Sequence, residues 1–144
     1  MSAEETVETF HRIYDRAMNH GDTDLIYEMY SPSFACKNPD YEVDGYDDIE
    51  ASVERQRKAF PDIEFGVEFI SASDDGVAVC WTMAGTHTHE LFGVPPSGRR
   101  VSMAGITVHR LVDGKSVGSY SCSDMVDRMK DALAQAQSEN TASA

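Results

Sequence analysis

Lysine is scarce in this chain. Only Lys37, Lys58, Lys115 and Lys130 occur among 144 residues, and all basic residues number 12 against 25 acidic ones. The net charge of −13 speaks against partners rich in phosphate, so neither nucleic acid nor an anionic membrane is expected to bind. Such a lysine-poor, acidic surface suits a protein that stays soluble in high salt, and equally an ordinary acidic cytosolic one. Long hydrophobic runs are missing too: none approaches the roughly 18 to 20 apolar residues of a membrane span. The opening MSAEETVETF has neither the basic start nor the apolar run of a signal peptide, and the expected location is cytoplasmic. Cysteine is sparse and scattered, at Cys36, Cys80 and Cys122. An odd set without CxxC argues against a disulfide framework and against a cysteine zinc site. All three are expected to be reduced packing residues. A GxSxG elbow is absent, which argues against a nucleophilic serine.

What remains suits one domain. Hydrophobic residues make up 41% of the chain, enough for an ordinary core. Val7, Phe10, Ile13, Tyr14, Ala17 and Met18 recur at helical spacing, and Gly21 is placed to cap that helix in the left-handed conformation. A short second helix follows through Leu25, Ile26, Met29 and Tyr30, stopped by Ser31-Pro32. A short extended piece, Phe34 to Lys37, leads to the turn signal Asn38-Pro39-Asp40. A third helix spans about Tyr46 to Phe60, closed by Pro61.

The period then becomes strand-like. Four strands are predicted: Ile63 to Ala72, Val77 to about Leu91, Val101 to Val112, and Val117 to Ser123. Asp74-Asp75-Gly76 and Asp113-Gly114-Lys115 supply tight turns between them. A closing amphipathic helix begins near Asp124. Residues 1–137 are thus expected to form a single domain, and 138–144 a frayed polar tail. Helices and strands segregate along the chain, which indicates an α+β domain. A long curved antiparallel sheet with helices on its concave face would enclose a conical pocket.

The stretch WTMAGTHTHELFGVPPSGRRVSMAGITVHRLVDGKSV sharpens this reading. Its Gly85-Thr86-His87, its Gly93 to Arg99 turn and its Arg110 to Lys115 run resemble the SnoaL-like polyketide cyclase family, within the nuclear transport factor 2-like (cystatin-like roll) superfamily. The similarity covers about residues 5 to 135. It implies an α+β cone with an apolar cavity, a homodimer through the sheet's outer face, a small-molecule ligand, and no metal or organic cofactor. The family's cyclases close a ring by an intramolecular aldol step with an aspartate as acid/base. That aspartate's position on the last strand, within GSYSCSD, is here Ser121. The matching strand-three histidine position holds Thr107, a helix-three asparagine position holds Ser52, and a pocket tyrosine position holds Met18. Hydroxyls at Ser121 and Thr107 can hydrogen-bond, but neither replaces a carboxylate as a base.

The resemblance therefore leaves Asp124, His87 and His109 as the candidate catalytic groups. Asp124 is the nearest surviving carboxylate, and it is equally well placed to cap the last helix. His87 and His89, two apart on the second strand, are expected to share a face, and on a concave face they could supply a base or half of a metal site. As a metal pair they lack a nearby third ligand, and no metal is expected. His109 shares a strand face with Thr107 and could exchange a proton near neutral pH, or serve as a buried structural histidine. Ser121, Thr107, Ser52, Met18, Tyr14 and Trp81 are the expected ligand-binding residues. Phe34, Met83 and Met103 could join an apolar pocket wall or belong to plain core. Arg99 and Arg100 are expected to be solvated. Two functions follow: cofactor-free cyclase or isomerase chemistry on a small apolar carbonyl compound, or binding of such a compound without turnover.

Overall fold

A computed structural model describes residues 2–38 and 41–143 of the chain. Pro39 and Asp40 of the predicted turn lie outside the described residues. The first helix, α1 (Ala3–His20), starts where the Ser2 hydroxyl accepts the Glu5 N–H at 3.1 Å. It ends at Gly21, whose φ of +72° is the left-handed cap the sequence predicts. A 3-10 turn (Thr23–Leu25) leads into the short α2 (Ile26–Met29). Two short strands, β1 (Ala35–Lys37) and β2 (Glu42–Asp44), pair antiparallel before α3 (Gly45–Ala59). Only the first of these was legible, because Glu-Val-Asp reads as loop.

Four strands then build one antiparallel sheet in chain order: β3 (Glu64–Ala72), β4 (Gly76–Thr86), β5 (Arg100–Val112) and β6 (Lys115–Ser123). The β5–β6 turn has Asp113 at φ +52° and Gly114 at +79°, the two positive values that a two-residue hairpin turn requires. The final helix α4 (Met125–Ser143) continues through the stretch where fraying was expected. The sheet is curved and unclosed, and with the four helices it forms the α+β, nuclear transport factor 2-like fold.

Strand β4 ends about five residues earlier than the alternation suggests. It stops at Thr86, where the Asp62 carboxylate takes both the Thr86 N–H and its hydroxyl at 2.7 Å. The chain then bulges into a loop, closed at its base by His87 N–H to the Arg99 carbonyl and Gly98 N–H to the His87 carbonyl. Consequently His87 and His89 sit on a loop and do not share a strand face.

The core lies between α1 and the inner sheet face. Phe10, Ile13, Ala17 and Met18 from α1 meet Val77, Val79, Trp81 and Met83 from β4, with Met125 and Met129 of α4 in the same cluster. Alternation on β4 and β5 sends every second side chain inward. Outward positions leave Phe69, Ile106, Val108 and Tyr120 exposed, each by 47% to 64%.

Candidate functional site

Register decides which side chains meet. On β5 and β6, Thr107 pairs with Ser121, His109 with Ser119, and Gly105 with Ser123, all on the inner face. Trp81 of β4 lies opposite Gly105. A Cβ at Gly105 would stand 2.4 Å from the indole, so the ring lies flat across this glycine. Lying there, it reaches its neighbour: Trp81 Nε1–H donates to Thr107 Oγ1 at 3.0 Å. Thr107 Oγ1 is 2.9 Å from Ser121 Oγ. The Ser121 N–H in turn donates to Asn38 Oδ1 at 3.0 Å, tying the edge strand β6 to the segment after β1.

A second polar chain crosses the same wall. His109 is 1% exposed, yet both ring nitrogens have partners. Tyr14 Oη lies 2.6 Å from Nε2 and Ser116 Oγ 2.8 Å from Nδ1. Ser116 donates its own proton to the Gly118 carbonyl at 3.2 Å. Its oxygen is thereby an acceptor for Nδ1–H, and Nε2 accepts the Tyr14 proton. Tyr30 packs edge-on against the His109 ring, with centroids 5.8 Å apart. Burial pushes the His109 pKa down to about 3 and raises that of Tyr14 well above its usual value. The pair is therefore a neutral imidazole and a neutral phenol at physiological pH.

These chains line a cavity of about 380 Å³ between α1, α2, α3, the β1–β2 segment and the inner sheet face. Its remaining walls are mainly apolar, including Met18, Met29, Phe34 and Val53, while Ser52 and Gln56 add polar atoms from α3. Tyr41 and Phe92 also line it, and their rings stack at 5.3 Å. No aspartate, glutamate, lysine or arginine lines this cavity among the described residues. Nor do three His, Cys, Asp or Glu side chains gather there, or elsewhere among those residues, as a metal-holding group. Among the described residues, no helix is long and apolar enough to cross a membrane.

The family model of the SnoaL-like polyketide cyclases matches residues 8–132. The chain belongs to the SnoaL-like polyketide cyclase family. Among solved structures, a candidate SnoaL-like polyketide cyclase from Jannaschia sp. CCS1 superposes with a TM-score of 0.80 at 27% identity, over 92% of this chain and 94% of that one. AclR, a candidate hydroxylase from Streptomyces galilaeus, is 32% identical with a TM-score of 0.72, over 90% and 98%. IdmH, a candidate polyketide cyclase from Streptomyces antibioticus, is 26% identical with a TM-score of 0.69, over 91% and 97%. No protein in the curated set matches this chain.

The SnoaL-like cavity gathers only part of the expected site. Ser121, Thr107, Ser52, Met18, Tyr14, Trp81 and His109 all line it, as does Phe34. Met83 and Met103 are buried in the core behind it. Asp124 lies outside the cavity: its Oδ1 accepts the Ala104 N–H at 2.9 Å and its Oδ2 faces Arg128 Nε at 3.2 Å. The carboxylate thus pins the start of α4 to β5, and the bonds it makes are not those of a helix N-cap. His87 is fully buried away from the cavity, stacked on Phe60 at 5.1 Å, with neither ring nitrogen hydrogen-bonded. Burial lowers its pKa. His89 is exposed, and its Nδ1 meets the Thr88 hydroxyl at 2.9 Å. Arg99 is paired with Glu139 of α4, and Arg100 with Glu64 at 3.4 Å.

Sequence reasoning missed Tyr30, Ser116 and Asn38 as site residues. Tyr30 reads as one more apolar position of a short helix. Ser116 sits next to a turn, where serine is ordinary. The Asn38 side chain is defined by a contact 83 positions away, which no local pattern announces.

Proposed function

We propose that this chain binds a small, largely apolar carbonyl compound in its conical cavity, and that binding is its principal activity. The observation that carries this reading is a cavity of about 380 Å³ whose described lining holds hydroxyl, amide, thiol and indole groups but no ionised side chain. Apolar walls with a few placed polar groups are what small-ligand sites are made of. The Ser121 hydroxyl stands where the family pattern has its carboxylate, so the usual base for enolate formation is replaced by a neutral hydrogen-bond donor. Asp124 and His87, the other candidates, are turned elsewhere.

A second reading, cofactor-free cyclase or isomerase chemistry, rests on one contact. The 2.6 Å bond between Tyr14 and His109 could hold a phenol proton ready for an enolate oxygen. Against it stands the imidazole itself, which has both nitrogens engaged and resists protonation. Calorimetric titration with 9-fluorenone, a flat apolar ketone, tests the first reading. Saturable binding that weakens in Met18→Trp, which fills the cavity, is expected. Absence of binding, or binding indifferent to Met18→Trp, would remove it. Hydrogen exchange at the α-carbon of 1-tetralone, followed by NMR in deuterated water, tests the second: catalysis lost in Tyr14→Phe would revive it.

The protein is further proposed to work as a homodimer through the outer face of the sheet. Phe69, Ile106, Val108 and Tyr120 form an exposed apolar band there. Sedimentation velocity should show a dimer that Ile106→Lys dissociates.

A further inference from the structure

The loop between β4 and β5 closes on His87. Its N–H donates to the Arg99 carbonyl, and its carbonyl accepts the Gly98 N–H. Beside it, the Thr88 N–H donates to the Ala59 carbonyl at the end of α3, at 2.8 Å. At the tip, Leu91 and Val94 exchange both backbone bonds around Phe92 and Gly93. Phe92 stands at φ +50° and Gly93 at +80°, so this two-residue turn forces a left-handed backbone on a bulky side chain. The strained residue is the one that reaches the cavity. Its ring stacks on Tyr41, and both rings line the cavity while only partly buried, which places them at its mouth.

Opposing contributions set how firmly the loop is shut. Leu91 and Val94 are buried in the core and hold it down. The His87 imidazole works against them: it is buried with neither nitrogen bonded, and water satisfies both once the loop lifts. Burial disfavours the charged ring by more than the His89 backbone and the Glu90 carboxylate favour it. Charges on the neighbouring elements are committed elsewhere. Asp62, before β3, holds Thr86; Arg99 pairs with Glu139 of α4, and Arg100 with Glu64 of β3. Glu90 accepts the Gly93 N–H at 2.5 Å, the His89 ring meets the Thr88 hydroxyl, and Lys58 on the last turn of α3 is exposed. A proton added to the shut ring would therefore be buried with no bonded counter-ion among the described residues.

We infer that this loop is an acid-released lid, in which Phe92 closes the cavity mouth against Tyr41 and protonation of His87 lets the loop lift. In the lifted loop the imidazole is solvated and takes up a proton near its ordinary pKa of 6.5. In the shut loop it resists that proton. Below about pH 6.5 the lifted form thus binds the extra proton, and the ratio of lifted to shut loop rises as pH falls, by up to about tenfold per pH unit. Above that value both forms carry a neutral ring, and the balance no longer depends on pH. The lid needs no ligand to operate, so it stands or falls apart from the binding reading.

Amide hydrogen exchange of the full chain, followed by NMR at pH 7 and pH 5, tests the latch. Protection of the Thr88, Leu91, Val94 and Gly98 amides should fall roughly three- to twentyfold more than that of Val79 and Val108 in the β4–β5 ladder. The extra loss should vanish in His87→Leu and in His87→Gln, and persist in His89→Asn. Loop amides that merely follow the ladder, or an extra loss that survives both His87 variants, would overturn the latch. The lid is tested through Cys36, which lines the cavity, in a Cys80→Ala/Cys122→Ala background. Its labelling by dithiodipyridine, relative to free cysteine at the same pH, should quicken on acidification, and Phe92→Ala should label quickly at both pH values. Labelling indifferent to pH and to Phe92→Ala would overturn the lid.

Discussion

The wall around His109 and the loop around His87 each bury an imidazole almost completely, at 1% and 0% exposure. In the wall, both ring nitrogens are bonded and the ring borders an open cavity. In the loop, neither is bonded and the ring is stacked on Phe60. Equal burial thus accompanies opposite polar satisfaction. Because an unmet buried polar group costs far more than a met one contributes, the wall resists change and the loop should tolerate it. The difference also separates two uses of one residue type. His109 organises hydroxyls that face a ligand site, whereas His87 fills space inside the loop that carries Phe92 to the cavity rim.

The largest effect is expected from emptying the wall. His109→Leu should lose about 2 to 4 kcal/mol in urea unfolding, since Tyr14 and Ser116 each lose a buried partner. A loss below about 1 kcal/mol would show that the two hydroxyls find water instead. Gly105→Ala should follow, at about 1 to 3 kcal/mol, because the new methyl would press on the indole of Trp81. Trp81 is the sole tryptophan, so its fluorescence should shift in this variant and report the displaced ring.

Acidification sharpens the contrast further. His109 is neutral in the folded chain down to about pH 3, whereas the unfolded chain takes up a proton near pH 6.5. Between those values the unfolded state binds the extra proton, so stability falls as pH falls. One such group contributes a slope of about 1.4 kcal/mol per pH unit over that window. Denaturation midpoints measured from pH 7 to pH 4 should show this slope, and His109→Gln should flatten it by that one proton. The smallest effect belongs to the loop. His87→Leu removes two unbonded nitrogens and should leave stability unchanged or raise it by about 1 kcal/mol. A clear loss would mean that the imidazole has a partner after all.

Much of this architecture was legible in the sequence. The Gly21 cap, the Asp113-Gly114 turn and the period change after Pro61 placed α1, α3 and the four long strands. Alternation on β5 and β6 put Thr107, His109 and Ser121 on one face. The failures have physical causes. Alternation in THTHEL continues the strand period, but Asp62 pins Thr86 and Gly93 and two prolines favour a loop, so His87 left the sheet. Asp124 follows the last strand as a catalytic or capping residue would. Its actual partners, the Ala104 N–H and Arg128, depend on where α4 crosses β5. Neither His109's double engagement nor its contact with Tyr14, 95 positions away, can be inferred from spacing. Residue identity showed that a carboxylate was missing at Ser121, and only the fold showed that no described charged side chain took its place.

Carbonyl binding, as proposed, seats the ligand's oxygen on the neutral hydroxyl of Ser121. The infrared stretch of that carbonyl, recorded for 9-fluorenone bound to the full chain and to Ser121→Ala, tests it directly. A stretch lowered from its value in hexane in the native chain, and restored toward that value in Ser121→Ala, is the predicted result. A bound ketone whose stretch matches hexane in both proteins would contradict the claim.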